Sequence, residues 1–299
     1  MNQSRRQFLA QMGVVSAIPF LGFSPLLAAP AASLKFGYSA ITWGDNIEGA
    51  IKEIASLGFT GIQLRANAFT KWGQKPEELK KMLDDAKLEL VMFSSGNADI
   101  NTGNDEAEIN KHVVNAKFVK ALGGKRMQVT NSSRPKTGDV TNENLVKYAK
   151  LLTEVGKRTA AVGIETTYHN HMGQLGQTPQ EVDTILQNTD PKSVGFLLDV
   201  AHYLQGGGDP AAAVHTYKDR IKMLHIKDVK NTDTNSGYQF VELGQGRLDF
   251  PAVFNALNAI NYRGYAVVEL DAIPVKGRTT MESGQIAKDF LTGKMKLKM

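Results

Sequence analysis

The 299-residue chain is 42% hydrophobic and carries 35 basic against 30 acidic side chains, a formal charge of +5. That size suits one large α/β domain, and a charge this mild, with no basic stripe interleaved with aromatics, excludes a nucleic-acid-binding surface. There is no cysteine, which excludes disulfides, thiolate nucleophiles and cysteine-based zinc sites.

Arg5 and Arg6 are the only charged side chains among the first 32 residues, so the remainder carries +3. Ser4-Arg5-Arg6-Gln7-Phe8-Leu9 resembles a twin-arginine export signal, followed by an apolar stretch from Met12 to Leu27 and the small residues Ala28, Ala29, Ala31 and Ala32. Pro19 and Pro25 interrupt the apolar run, which falls short of the ~20 residues of a membrane span. The expectation is a signal peptide over residues 1–32, read by the twin-arginine (Tat) translocon and cleaved near Ala31. The folded product over residues 33–299 is then periplasmic, with no stable membrane span.

After this segment, strand-like and helix-like stretches alternate about every 30 residues, the length of one βα unit. The apolar runs predict strands from Leu34 to Trp43, Gly61 to Asn67, Leu88 to Ser95, Arg126 to Thr130, Gly163 to His171, Val194 to Val200, Ile221 to Asp228 and Tyr265 to Asp271. Predicted helices run from Ile47 to Leu57, stopped by Gly58, from Pro76 to Lys87, from Asp105 to Leu122, stopped by Gly123-Gly124, and from Asn142 to Ala161. Four more start near Pro179, Asp209, Pro251 and Met281. Eight strands and eight helices in this length are the arithmetic of a single (β/α)8 TIM barrel. A doubly wound sheet would want a glycine-rich phosphate turn after the first strand, and Trp43-Gly44-Asp45-Asn46 is not one. Gly206-Gly207-Gly208 has no Lys-Ser/Thr after it and reads as a rim loop.

Parallel strands in a barrel share one C-terminal rim, where the last inward side chains carry chemistry. His169 or His171 ends the fifth predicted strand, Asp199 the sixth, His225 the seventh and Glu269 the eighth. A lone residue of this kind is ordinarily a cap or a solvated loop side chain. Four successive ends bearing nitrogen and oxygen ligands point instead to one divalent metal ion, Mn2+, Mg2+, Co2+ or Zn2+. On the same rim, Gln63 and Gln128 could donate to sugar hydroxyls, Trp43 and Trp72 could stack on a sugar face, although an aromatic near a strand end more often simply packs, and Arg247 could meet a polar substituent. Lys227 suits a substrate hydroxyl or carbonyl, or else a salt bridge to Asp228 or Asp271. His112 and His215 read as surface residues of helices. No Gly-x-Ser-x-Gly turn supports a serine hydrolase.

The segments YHNHMGQLGQTPQEVD (Tyr168 to Asp183), LLDVAHYLQGGGDP (Leu197 to Pro210), RIKMLHIKDVK (Arg220 to Lys230), ELGQGRLDF (Glu242 to Phe250) and VVELD (Val267 to Asp271) together resemble the xylose isomerase-like barrels, also called sugar phosphate isomerases/epimerases. The first is also similar to the inosose dehydratases, which share its Tyr-His-x-His and Gln-Thr-x-x-Glu-Val-Asp pattern. The resemblance runs from about Phe36 to Leu291. It implies Asp199, His225 and Glu269 as metal ligands and His202 as a substrate contact. Where the family carries a ligating Glu on the fifth strand this sequence has His169, which leaves the fourth ligand open among His169, His171 and Gln174. Glu165, four residues earlier, is expected deeper in the barrel, paired with a neighbour such as Arg126.

Family epimerases use two metal-bound glutamates to remove and return a proton. With one of them replaced, His171 becomes a plausible single base, beside Glu269 and His169 as the other candidate catalytic groups. One base and a metal still serve aldose-ketose isomerisation, and family frequency favours an isomerase or epimerase. They also serve β-elimination, as in inosose dehydratases and enzymes that open 3-keto-glycosides, which the histidine and the Tyr168 to Asp183 pattern favour. The substrate expected is an unphosphorylated keto-sugar or keto-cyclitol. A non-catalytic periplasmic sugar-binding barrel is the alternative from another class, and a homo-oligomer is compatible with the sequence.

Overall fold

The computed structural model describes residues 34–299, so the expected export signal lies outside the described residues. The strands are β1 (Lys35–Ser39), β2 (Gly61–Arg65), β3 (Glu89–Asn97), β4 (Arg126–Thr130), β5 (Glu165–His169), β6 (Val194–Asp199), β7 (Ile221–Ile226), β8 (Asp228–Asn231), β9 (Tyr238–Val241) and β10 (Tyr265–Val268). Eight of them, all but β8 and β9, pair in parallel in the order β1-β10-β7-β6-β5-β4-β3-β2 and close on themselves, as a (β/α)8 barrel requires. β8 and β9 pair only with each other, as an antiparallel hairpin.

The intervening helices are α1 (Ile47–Ser56), α2 (Asn67–Trp72), α3 (Pro76–Asp85), α4 (Asp105–Ala121), α5 (Asn142–Ala160), α6 (Pro179–Asn188), α7 (Val200–Gln205), α8 (Pro210–Thr216), α9 (Phe250–Ala259) and α10 (Thr280–Asp289). Their ends follow local chemistry. Proline occupies the first turn of α3, α6, α8 and α9, where its missing N–H costs nothing. Thr141 and Asn144 form a reciprocal capping box on α5. Gly58 and Gly123 sit just past α1 and α4 at φ 87° and 80°, a conformation that a side chain would strain, so these glycines stop the helices where the sequence predicts. Among the described residues no helix is long and apolar enough to cross a membrane.

Side chains alternate across each strand, so the barrel has two apolar layers. Ile62, Leu64, Phe93, Val129, Phe196, Leu198, Ile226 and Val268 face outward to the helices. Val91, Met92, Leu197, Met223 and Val267 form a separate cluster filling the interior. Each such fully buried side chain contributes about 1.5–3 kcal/mol. The inner cluster also makes an apolar floor beneath the C-terminal rim.

Three departures from the sequence reading have local causes. β1 ends at Ser39 because Ala40–Trp43 winds into a 3-10 turn, which lets the Trp43 indole N–H donate to Glu53 Oε2 at 2.8 Å and its ring pack edge-on against Tyr38. β7 ends at Ile226, and the chain enters the β8-β9 hairpin instead of the next barrel helix. His112, read as a surface residue, is fully buried, with Nδ1 2.7 Å from Ser95 Oγ. It lies on the same face of α4 as Ile109, Ala116 and Val119, so helical periodicity overrides the polarity of a single imidazole. His215 is exposed on α8 as expected.

Candidate metal centre

His169, Asp199, His225 and Glu269 close β5, β6, β7 and β10 on the inner face, directly above the apolar floor. Register fixes this: Asp199 pairs with His225 across β6 and β7, and the Glu269 N–H extends the β10 ladder by donating to Ile226 O at 3.2 Å. One potential ligand atom from each of the four lies within 4.8 Å of all the others. His169 Nε2 and His225 Nδ1 are each 3.6 Å from Asp199 Oδ2, and His225 Nδ1 is 3.4 Å from Glu269 Oε1. Ligands about 2.1 Å from a shared ion in a tetrahedral site stand about 3.4 Å apart, so these separations fit coordination. Of the three candidates for the fourth position, His169 joins the group; His171 and Gln174 lie in the loop beyond.

In Asp199, His225 and Glu269 another polar atom is committed elsewhere, which aims the facing one inward. Asp199 caps α7, its Oδ1 accepting from the N–H groups of Ala201 and His202 at 2.9 Å, while Oδ2 has no hydrogen-bond partner. His225 Nε2 donates to Gln63 Oε1 at 2.8 Å, since the Gln63 amide nitrogen faces Glu269 Oε2 and Ser39 Oγ. That leaves the Nδ1 lone pair of His225 unpartnered, like both nitrogens of His169. Leaving buried polar atoms unsatisfied costs about 1–3 kcal/mol each, and one ion would satisfy Asp199 Oδ2, His225 Nδ1 and one nitrogen of His169 together.

Charge gives the same answer. Burial alone would push the Asp199 and Glu269 carboxyls up. The imidazoles and the Lys227 ammonium outweigh it, holding Asp199 well below the usual range and Glu269 at about 2. Burial holds His169 down to about 4 and His202 well below its ordinary value, so both are neutral at pH 7. Lys227 is fully buried, 3.0 Å from Glu269 Oε1 and from both oxygens of Asp271. Burial would lower its ammonium, and Asp271, Glu269 and Asp199 more than reverse that. Three carboxylates against one ammonium leave a surplus of two negative charges, the complement of one divalent cation.

Around this group the rim residues divide. His202 Nδ1 accepts from the Met172 N–H at 3.2 Å, so its proton is on Nε2, 4.0 Å from Asp199 Oδ2 and 3.4 Å from Lys227 Nζ. The His171 ring packs on His202 with centroids 3.9 Å apart, and its Nδ1–H donates to Met172 O at 2.7 Å, leaving Nε2 as an open acceptor. Its loop is clamped by Glu181, which accepts from the N–H groups of Gly176 and Gln177 and pairs with Arg134 at 2.9 Å. The Gln-Thr-x-x-Glu-Val-Asp stretch is therefore a loop brace.

Other candidates serve different ends. Gln63 hydrogen-bonds His225 and Glu269, two residues of the buried group. Gln128 is buried on β4, paired with Thr167 one layer below His169. Trp43 and Trp72 are 7% and 1% exposed, packed into the core and away from any sugar face. Arg247 is exposed and donates to Gln205 at 2.7 Å. Glu165 pairs with Arg126 at 2.6 Å near the start of β5, as expected. Lys227 takes the expected bridge to Asp271, whereas Asp228 accepts backbone N–H groups from Val229, Gly244, Gly246 and Leu248 and so clamps the hairpin base. The sequence reading missed Phe240 and Tyr238 on that hairpin. Its signal is there: the polar run Thr232 to Gly237 followed by the alternating Tyr-Gln-Phe-Val.

A family model described as "Xylose isomerase-like TIM barrel" matches residues 51–288. An inosose dehydratase of Lacticaseibacillus casei is 27% identical over an alignment that covers 89% of this chain and 98% of that protein. Among solved structures, the probable 3-DHS dehydratase AsbF of Bacillus anthracis superposes with a TM-score of 0.73 at 17% identity, covering 86% of this chain and 98% of the other. IOLI protein with a bound zinc atom superposes with a TM-score of 0.73 at 19% identity, covering 87% and 97%. With eight parallel strands closed into a barrel and a family match across most of its length, this chain belongs to the xylose isomerase-like TIM barrel family.

Proposed function

We propose that this chain is a divalent-metal-dependent dehydratase removing water from a keto-cyclitol or a related keto-sugar. One observation carries the reading: a buried ligand group short of two positive charges, with a histidine beside it whose outer nitrogen is a free acceptor. His169, Asp199, His225 and Glu269 would hold the ion, which when bound supplies Lewis-acid polarisation of a carbonyl. His171 Nε2 accepts the proton from the carbon next to that carbonyl. The hydroxyl on the following carbon leaves, a C=C bond forms, and the proton departs with the hydroxyl as water. His202 donates from Nε2 to a substrate oxygen, and the Lys227 ammonium opposes the negative charge that develops. The apolar floor keeps bulk water from below.

Family frequency favours an isomerase or epimerase, but elimination now stands ahead. The relative aligned along nearly the whole chain is an inosose dehydratase, and a structural neighbour is a probable dehydratase. His169 in place of a ligating glutamate also removes one of the two groups that symmetric proton exchange uses. The zinc in another neighbour supports the choice of a metal. Incubating the metal-loaded protein with inososes and 3-keto-glycosides tests the reading: elimination yields an absorbing conjugated enone and loss of water. Solvent deuterium incorporation without an enone would return the assignment to isomerisation. A sugar-binding barrel without chemistry would show neither, and its affinity would survive Glu269→Gln. We further propose that residues 1–32 direct twin-arginine export. An Arg5→Lys/Arg6→Lys variant then stays out of the periplasmic fraction, and a periplasmic product that still begins at Met1 would contradict it.

A further inference from the structure

Four rings form a continuous wall along one side of the metal centre. His171 packs on His202 at 3.9 Å, His202 meets Phe240 at 4.7 Å and 72°, and Phe240 meets Tyr238 at 5.4 Å and 67°. The two outer rings come from β9. Its register opposite β8 pairs Phe240 with Val229 and Tyr238 with Asn231, so both rings share one face of the hairpin. An isolated two-stranded ribbon is marginal in water. This one is held at its base by the four backbone N–H bonds to Asp228 and by the burial of Val229 and Val241. Phe240 also lies over the Lys227 ammonium, 4.6 Å from the ring centroid. It is only half-buried, an apolar ring left partly open beside the imidazole, carboxylate and ammonium groups. Trp43 and Trp72, the other candidates for stacking on a substrate, are in the core.

We propose that Phe240 and Tyr238 form a stacking platform that selects a six-membered ring polyol over an open-chain one. The inference rests on the dehydratase reading and narrows its substrate class. A ring polyol presents a persistent flat face of C–H bonds to an aromatic surface while its oxygens turn toward the polar groups. An open-chain polyol has no such face and loses rotor freedom on binding. The wall stands on the His202 and Lys227 side of the ligand group, so a ring lying on Phe240 presents its edge to that group.

The test compares myo-inositol with sorbitol, a ring and an open chain with six hydroxyls each, by calorimetric titration of the metal-loaded protein, with inosose turnover followed in parallel. Phe240→Ala weakens myo-inositol binding and raises the KM for inosose by roughly three- to tenfold. Sorbitol binding changes less than twofold, and bound metal is unchanged. Phe240→Tyr restores ring binding. Phe240→Leu keeps the apolar volume without the ring; it loses ring binding as the alanine does and serves if alanine unsettles the hairpin. Unchanged inositol affinity and KM in both variants would overturn the platform alone, as would equal losses for ring and chain. A wild-type protein that neither binds inositol nor turns over inosose would overturn the substrate reading itself.

Discussion

Replacing Gln63 by leucine removes the amide that orients two of the four ligand residues while nearly preserving volume. His225 Nε2, fully buried, then has no acceptor, and Glu269 Oε2 and Ser39 Oγ lose the donor at 3.2 and 3.3 Å. An unsatisfied buried N–H costs about 1–3 kcal/mol. The imidazole escapes part of that by moving its proton to Nδ1, the atom that faces Asp199 and Glu269 and that coordination requires. Loss of such an outer partner lowers metal affinity by about ten- to 100-fold, or about 1.4–2.7 kcal/mol. Because the ion binds only the folded chain, the thermal stabilisation produced by a fixed excess of Zn2+ shrinks by that amount. For a domain of this size, that is about 2–5 °C of the metal-induced shift in Tm. Thermal melts with and without metal, joined to competition against a chelating dye, measure both quantities. A folded Gln63→Leu protein that binds metal within twofold of the wild type would refute the claim that Gln63 sets the His225 tautomer.

Lys227→Met leaves three carboxylates facing one another; the chelated protein loses about 3–5 kcal/mol and the metal-loaded protein clearly less. Urea unfolding with and without chelator checks this, and equal losses in the two states would count against a shared charge balance. For His112, burial lowers the folded imidazole to about 3 against 6.5 in the unfolded chain. The unfolded state therefore takes up the proton first: stability is complete above pH 6.5 and falls as pH drops from there toward 3, by about 1.4 kcal/mol per unit. Between pH 7 and pH 5 the wild type should lose about 2 kcal/mol more than His112→Gln, and parallel curves would contradict the burial argument. Arg134→Ala frees Glu181 from its bidentate partner, costing about 1–3 kcal/mol and speeding proteolysis between residues 171 and 178; an unchanged cleavage rate would show the clamp to be idle.

The barrel was legible because its signals are local and repeated. Apolar runs gave the strands, Pro179 and Pro210 open their helices, and Gly58 and Gly123 end theirs. Asp199, His225 and Glu269 were legible for the same reason: strand alternation and a common rim bring together residues far apart in sequence. What could not be read is long-range. Nothing near Gln63 says that its partners are His225 and Glu269, 162 and 206 residues away. Trp43 could be read as a stacking ring or as packing at a strand end, and nothing near it says that its acceptor is Glu53 on the following helix. His169 and His171 share one stretch, and only the end of β5 at His169 separates the histidine of the buried cluster from the one in the loop. The β8-β9 hairpin was hidden by the expectation that every barrel strand leads to a helix.

The central claim is that four strand ends meet around one ion. The most direct measurement is the divalent metal content of the purified, folded protein after incubation with Zn2+ or Mn2+ and removal of excess, for the wild type and for Asp199→Ala/His225→Ala. The account predicts one ion per chain in the wild type and none in the variant, with the barrel intact by circular dichroism. A wild type that takes up no ion, or a variant that holds one as tightly, would contradict it.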